Sequence, residues 1–430
     1  MALVCRSAVI TAPRLKITYR HACKLISTAR DSTPVAGLTH NFYRYPARFS
    51  PRFVRAAIEA FTTPGDLVLD PFMGGGTTLV EALATGRHAV GTDISSLAGF
   101  VSEVKTTLYS EMELYRLSRW AQRVVTQIHM HGPGHLSKTH VDAGYLRHLC
   151  GVATWRLRKA IEQALVCAST LDSLKLQTFA RCVVLRTAQW ALDGRKRLPS
   201  VSEFRAKLCE FAEMMIEGAR ELRQTVDAHW STCVPIARCL TRPSAGLETD
   251  PLVEGLPRPR LVLTSPPYPG VHVLYHRWQI DGRKESPAPF WIANQLDGSG
   301  ESHYTMGWRK TEGLPDYFNQ LRQSLHSIAA ICTDETTIVQ VVAFSEPRWQ
   351  LPRYLAAAED VGMREFRLSP LKRESDGRLW RVVPNRKWYA DQRGRTNASL
   401  EVVLFHRLRS FVPAMRPITA KPNVGVSRTP

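Results

Sequence analysis

Nowhere does this sequence hold the roughly 18 consecutive apolar residues that a membrane-spanning helix requires, so no span is expected. It also has no C-x-x-C pair. Its nine cysteines (Cys5, Cys23, Cys150, Cys167, Cys182, Cys209, Cys233, Cys239 and Cys332) are scattered and odd in number. That pattern argues against a disulfide framework and against a zinc site, and it suits a reducing, cytoplasmic compartment. The histidines His129, His131, His135 and His140 surround Gly132-Pro133-Gly134 with no cysteine among them, so they lack the fixed spacing of a metal site and no metal is expected. No internal repeat is present. Acids are scarce as well: 38 Asp and Glu face 57 Lys and Arg, a formal net charge of +19. So large a surplus points to a polyanionic partner, because each phosphate neutralised by Lys or Arg releases condensed counterions. A generally basic protein with no such partner is the bland alternative.

What is present reads as an α/β protein. The 430 residues leave room for two domains. Residues 1–39 read as an irregular basic arm; they superficially suit a targeting presequence, but no amphipathic repeat is evident in them and contact with nucleic acid explains the charge equally well. Phe53, Ala56, Ala57 and Ala60 have helical spacing. The turn Thr63-Pro64-Gly65-Asp66 leads into the apolar run Leu67-Val68-Leu69, then a glycine loop, a helix from near Thr77, and a second strand at His88–Thr92. Strand, glycine loop, helix, strand opens a doubly wound sheet. Residues 106–232 change to helical texture. Leu108, Met112, Tyr115, Trp120, Val124 and Ile128 form one stripe, and Ser200 with Glu203 makes a capping box. Strands resume at Arg260–Leu263, Thr337–Val342 and Leu400–Phe405. The expected organisation is a basic arm (1–39), a first half of an α/β domain (40–105), a helical insertion (106–232), a second half (233–410) and a flexible tail (411–430).

The glycine loop is Asp70-Pro71-Phe72-Met73-Gly74-Gly75-Gly76-Thr77-Thr78. Glycines at a strand-to-helix turn let the backbone approach a ligand closely. A phosphate cradle would want a cation here, whereas Asp70 repels phosphate and suits an α-amino group or a sulfonium. Asp93 follows 23 residues later, after the second strand, where an acid accepts hydrogen bonds from ribose hydroxyls. A nucleoside with an amino-acid tail and no phosphate satisfies both carboxylates, and S-adenosylmethionine is that molecule.

The strand at Arg260–Leu263 is followed by Thr264-Ser265-Pro266-Pro267-Tyr268. Two prolines fix φ and make a rigid turn at the carboxyl end of a strand. An exocyclic NH₂ of cytosine or adenine is a poor nucleophile, since its lone pair is delocalised into the ring. If Ser265 Oγ and the Pro266 carbonyl accept its N–H bonds, the nitrogen moves toward sp³ and its lone pair turns to the methyl group. Tyr268 would stack on the base, which must leave the duplex to reach the site.

Together, Asp-Pro-Phe-x-Gly-x-Gly-Thr-Thr and Thr-Ser-Pro-Pro-Tyr resemble the amino-methyltransferases of bacterial restriction–modification and orphan DNA modification systems. Tyr45-Pro46-Ala47-Arg48-Phe49 is similar to the family's additional cofactor motif, whose phenylalanine packs on the methionine end. The resemblance covers roughly 40–100 and 235–407. It implies a Rossmann-like methyltransferase sheet, S-adenosylmethionine held by Tyr45, Pro46, Phe49, Asp70, Pro71, Phe72, Gly74, Gly76, Thr77, Thr78 and Asp93, and catalysis by Ser265, Pro266, Pro267 and Tyr268. It further implies a double-stranded DNA substrate and a possible companion restriction endonuclease. Ser-Pro-Pro-Tyr goes chiefly with cytosine N4 in that family, and Asp/Asn-Pro-Pro-Tyr with adenine N6. The chain departs from the family at its third strand, where Pro235–Leu240 lacks the acid that meets the cofactor's adenine.

Contacts to DNA are expected from the Gly194-Arg195-Lys196-Arg197 loop, from Arg277 and Arg283 after the catalytic loop, and from Arg386, Lys387, Arg393 and Arg395. Trp278, Trp291 and Trp308, which alternate with those basic residues, read equally as a packed lid. An adenine-N6 enzyme, an RNA base amino-methyltransferase and a non-catalytic nucleic-acid-binding relic are the competing readings.

Overall fold

In the computed structural model the residues described are 17–45, 48–131, 138–230, 234–269, 277–280, 282, 284–297, 304, 306–307, 313–374, 376–382 and 400–408. Short apolar runs bounded by turns become strands, the central ones buried on both faces, as parallel strands between helical layers must be. These are β1 (Leu67–Asp70), β2 (His88–Asp93), β3 (Ala237–Thr241) and β4 (Leu261–Thr264), followed by the small hairpin β5 (Trp278–Ile280) and β6 (Lys284–Ser286). Then come β7 (Thr337–Ala343), β8 (Met363–Glu365), β9 (Leu379–Val382) and β10 (Leu400–Leu408). The main sheet runs β3-β2-β1-β4-β7-β10-β8, with β9 also paired to β10. The first five are mutually parallel, and β10 is antiparallel to its three neighbours.

Chain order reverses between β1 and β4. Strands β2 and β3 were added outward on one side and β7 on the other, so helices leave that junction in opposite directions and a crevice opens at the strands' carboxyl ends. Asp70 ends β1 and Thr264 ends β4, both at the mouth of this crevice. The expected doubly wound α/β sheet is present.

Helices α1 (Tyr19–Ala29), α2 (Pro51–Phe61) and α3 (Thr77–Ala84) cover one face of the sheet, where Phe53, Leu83, Leu261 and Val341 share a core. α4 (Ser96–Thr106) follows β2. The insertion comprises α5 (Glu111–Gln127), α6 (Lys138–Asp142), α7 (Trp155–Ser169), α8 (Leu174–Leu192) and α9 (Val201–Asp227). Past the β5–β6 hairpin lie α10 (Ala288–Ala293), α11 (Leu314–Ile331) and α12 (Pro347–Asp360), the last two packing on the opposite face. The insertion does not stand apart: α4, α10 and Trp278 join its core. α9, about 40 Å long at 1.5 Å per residue, buries Phe204 and Leu208 in that core and Leu222 and Val226 under the sheet. No described helix is long and apolar enough to cross a membrane.

Two expectations need correction. Residues 19–29 of the basic arm are not irregular: Thr18 caps α1 by accepting from His21 N, and Ala22, Leu25 and Ala29 are buried with Ile26 packed beside them, against α2. These four fall at i, i+3, i+4 and i+7, a helical stripe hidden in sequence by the basic residues between them. In α5 the inward stripe is Leu114, Leu117, Trp120, Ala121 and Val124, while Met112 and Tyr115 point to solvent. The capping box of Ser110 and Glu113 starts the helix and thereby sets its phase. The box expected at Ser200 and Glu203 is present on α9.

Candidate active site

The glycine loop is held by backbone and by α4. Met73 N donates to Thr92 O (2.9 Å) and Gly76 N to Met73 O (2.8 Å). From α4, Ser102 Oγ donates to Gly74 O at 3.1 Å and Lys105 Nζ to Gly75 O at 2.7 Å. Lys105 is wholly buried, and burial lowers its amine to about 7, with Arg48 adding to the effect. Gly76 has φ +73°, and a Cβ there would lie 2.6 Å from Ser102 Oγ; one on Gly75 would lie 2.8 Å from Tyr45 Cβ. The space these two glycines leave is therefore taken by the chain's own Ser102 and Tyr45.

Asp70 accepts from Thr264 Oγ1 at 2.8 Å and from Phe72 N at 3.2 Å. The first bond ties the glycine loop to the start of the catalytic loop across 194 residues of chain. Asp93 accepts from Gly74 N (3.0 Å) and Ser95 N (2.9 Å), so it braces the loop as well as facing the cleft. These donors are neutral. Burial pushes each carboxyl up to about 6, the behaviour of an acid removed from water without a cation against it.

In the catalytic loop, Tyr317 Oη donates to Pro267 O at 2.9 Å and anchors the turn. Ser265 Oγ donates to Val341 O (2.9 Å) and lies 3.0 Å from Tyr268 Oη. Tyr268 Oη in turn donates to Glu401 Oε1 at 2.6 Å. With its proton directed to Val341, Ser265 keeps lone pairs free to accept an N–H bond.

One cleft of about 510 Å³ is lined by Tyr45, Phe49, Asp70, Pro71, Phe72, Gly74, Thr77, Thr78 and Asp93 from the first set and by Ser265, Pro266, Pro267 and Tyr268 from the second. Gly76 is not among the lining residues; it shapes the loop from behind. Pro46 lies outside the described residues. Sequence reading missed the remaining walls: Arg48, the turn Arg242–Ala245 after β3, and Gln320, Gln323 and Ser324 on α11. Ser244 is buried in that turn, just past the Pro235–Leu240 stretch in which the family's acid was sought.

The expected DNA contacts divide. Arg195, Lys196 and Arg197 are exposed, with the Arg195 guanidinium 4.6 Å from the Trp190 ring centre. Arg277 is 2.9 Å from Asp297 and so is already paired within the chain. Trp278 and Trp291 are core residues. Arg283, Arg386, Lys387, Arg393, Arg395, Trp308 and His135 lie outside the described residues. Among the described residues no group of three or more His, Cys, Asp or Glu could hold a metal ion.

Sheet order, glycine loop, bracing acid and cleft define a doubly wound α/β domain with a cleft at the point where strand order reverses. Asp70, which is buried, and Asp93, which is partly exposed, are held by neutral donors, and such a pair fits the cationic amino-acid end and the ribose of S-adenosylmethionine. Residues 26–98 match the family described as DNA methylase. The chain is similar to the type II methyltransferase M.MjaII of Methanocaldococcus jannaschii, 35% identical over 18% of this chain and 15% of that protein. It is similar also to M.MvaI of Kocuria varians, at 39% over 20% and 19%. The DNA adenine methyltransferase YhdJ of Escherichia coli K12 is 30% identical over 28% and 38%. The chain thus matches between about a seventh and two fifths of the length of these relatives. Among solved structures, the rRNA methyltransferase aviRa of Streptomyces viridochromogenes aligns over 88% of this chain and 94% of its own at 12% identity, with a TM-score of 0.32.

Proposed function

We propose that this chain is a DNA methyltransferase that modifies an exocyclic amine of a base extruded from the duplex, with cytosine N4 the favoured target. The observation that carries the proposal is the shared cleft: residues from the glycine loop and from Ser265–Tyr268 line one cavity, and Thr264 bonds Asp70 across it. When bound, S-adenosylmethionine supplies an electrophilic methyl group on sulfur. Tyr45, Phe49, Asp70 and Asp93 would hold it. Ser265 Oγ and the Pro266 carbonyl would accept the two amine N–H bonds and turn the nitrogen lone pair toward the methyl group, so that catalysis is positioning plus fixed dipoles. Tyr268 would flank the base. The net charge of +19 and the exposed Arg195-Lys196-Arg197 loop suit a DNA backbone. A cognate restriction endonuclease is a natural companion for such an enzyme.

Cytosine is favoured by the serine at position 265. Adenine N6 is the second reading, favoured by the similarity to a DNA adenine methyltransferase. Mass spectrometry of nucleosides from DNA of cells expressing the protein distinguishes them: N4-methylcytosine is expected, N6-methyladenine would favour the second reading, and neither would refute both. In vitro, Ser265→Ala should abolish methyl transfer while calorimetric cofactor binding persists. Undiminished turnover would remove Ser265 from the mechanism.

A further inference from the structure

Building on that proposed reaction, we infer that Glu401 is the terminal acceptor of the proton the target amine sheds, reached through Tyr268 and Ser265. Glu401 is the lone acid of β10 and is 3% exposed, on a strand that is otherwise almost wholly apolar where it crosses the sheet. Burying a carboxylate there is costly unless it is paired. Arg381, directly opposite on β9, supplies the pair in an uneven way. Both Arg381 Nε (2.9 Å) and Nη2 (2.6 Å) donate to Glu401 Oε2. A purely structural arginine–carboxylate fork would engage both oxygens. Here Oε1 is left to Tyr268, whose hydroxyl donates to it at 2.6 Å. Tyr268 Oη is 3.0 Å from Ser265 Oγ, and both of those residues line the cleft, whereas Glu401 and Arg381 do not. The carboxylate therefore communicates with the cleft through the tyrosine.

The chemistry requires such an outlet. Once the amine nitrogen has used its lone pair to bond the methyl carbon, it carries four bonds and a positive charge, and one N–H proton must leave. Asp70 and Asp93 are engaged on the glycine-loop side. On the catalytic-loop side the path is continuous. The amine N–H bond breaks as an O–H bond forms on Ser265. The serine's own proton passes from its Val341 acceptor direction to Tyr268 Oη, and the tyrosine's proton passes to Glu401 Oε1. A cationic amine and a carboxylate become two neutral groups, and Arg381 keeps its charge throughout.

Single-turnover methyl transfer on preformed enzyme–cofactor–DNA complexes tests the relay, alongside thermal melting and calorimetric affinities for S-adenosylmethionine and DNA. Glu401→Gln keeps shape but cannot take a proton. It should slow transfer by about 100-fold and leave both affinities within about twofold. Glu401→Asp should restore the rate in part. Tyr268→Phe preserves the Glu401–Arg381 pair, so it reports on the relay even if Glu401→Gln fails to fold; its loss should match Glu401→Gln, and the double variant should be no slower than the slower single. A wild-type rate in Glu401→Gln or in Tyr268→Phe, or additive losses in the double variant, would overturn the relay alone. No transfer to DNA by the wild type would overturn the proposed function and the relay together.

Discussion

Asp70 is buried and Asp93 half-buried; both are held by neutral donors, and desolvation raises both from 3.8 to about 6. Because each pKa is raised in the fold, its contribution to stability is fully present below about pH 4 and is lost as pH rises through about 6. The ligand-free protein is thus weakened at neutral pH by the same ionised groups that the proposed cofactor would use. A cationic amine favours the ionised forms, so cofactor affinity should be flat above about pH 7 and fall by up to about tenfold per unit per group below pH 6. Calorimetry at pH 5.5 and 7.5 measures this, and affinity unchanged between those values would show that neither carboxylate meets a cation. Asp70 and Asp93 were legible in sequence because they end short apolar runs beside a glycine loop. Lys105 was not: a lysine inside an ordinary helical stretch carries no mark of the carbonyl it will reach, and only the fold of α4 onto the loop gives it Gly75 O.

At the scale of elements, the loop between β1 and α3 depends on a left-handed residue pressed against α4. Gly76→Ala should destabilise by about 1–2 kcal/mol from backbone conformation, and more because its Cβ would meet Ser102 Oγ. Thermal denaturation of the ligand-free protein checks this, and Ser102→Gly should recover part of the loss. Helix α1 makes the opposite point. The arm that carries it reads as basic and irregular, yet Leu25 is fully buried beneath it. Leu25→Ala should therefore cost about 2–4 kcal/mol; chemical denaturation that moves by less than 0.5 kcal/mol would mean the helix is not docked in solution. Strands were the easier elements to read, because double-sided burial forces continuous apolar runs such as Leu67–Leu69 and Leu261–Leu263.

At the scale of the whole molecule, the positive surplus is spread over a body in which much of it is internally engaged. Arg277 pairs with Asp297, Arg381 with Glu401 and Arg260 with Glu335. The exposed Arg195-Lys196-Arg197 turn, next to the hairpin through the Gly194 N to Gln279 O bond, remains open to a polyanion. Replacing all three by serine should weaken duplex binding uniformly across sequences. It should also reduce the slope of log affinity against log salt by up to about 2.7, at roughly 0.9 per phosphate contact. Anisotropy titrations at several salt concentrations read that slope, and an unchanged slope would exclude the turn from the DNA interface.

By itself the sequence determined the α/β class, the helical texture of 106–232 and the two glycine- and proline-bearing loops. Each of these is local: a run of apolar residues, a turn that only Gly or Pro permits, an acid at a strand end. Tertiary structure alone decided that Thr264 bonds Asp70, that Ser102 and Lys105 clamp the glycine loop, and that Glu401 stands behind Tyr268. Such pairings join residues brought together by strand order, and strand order depends on how the layers pack rather than on any short stretch of chain.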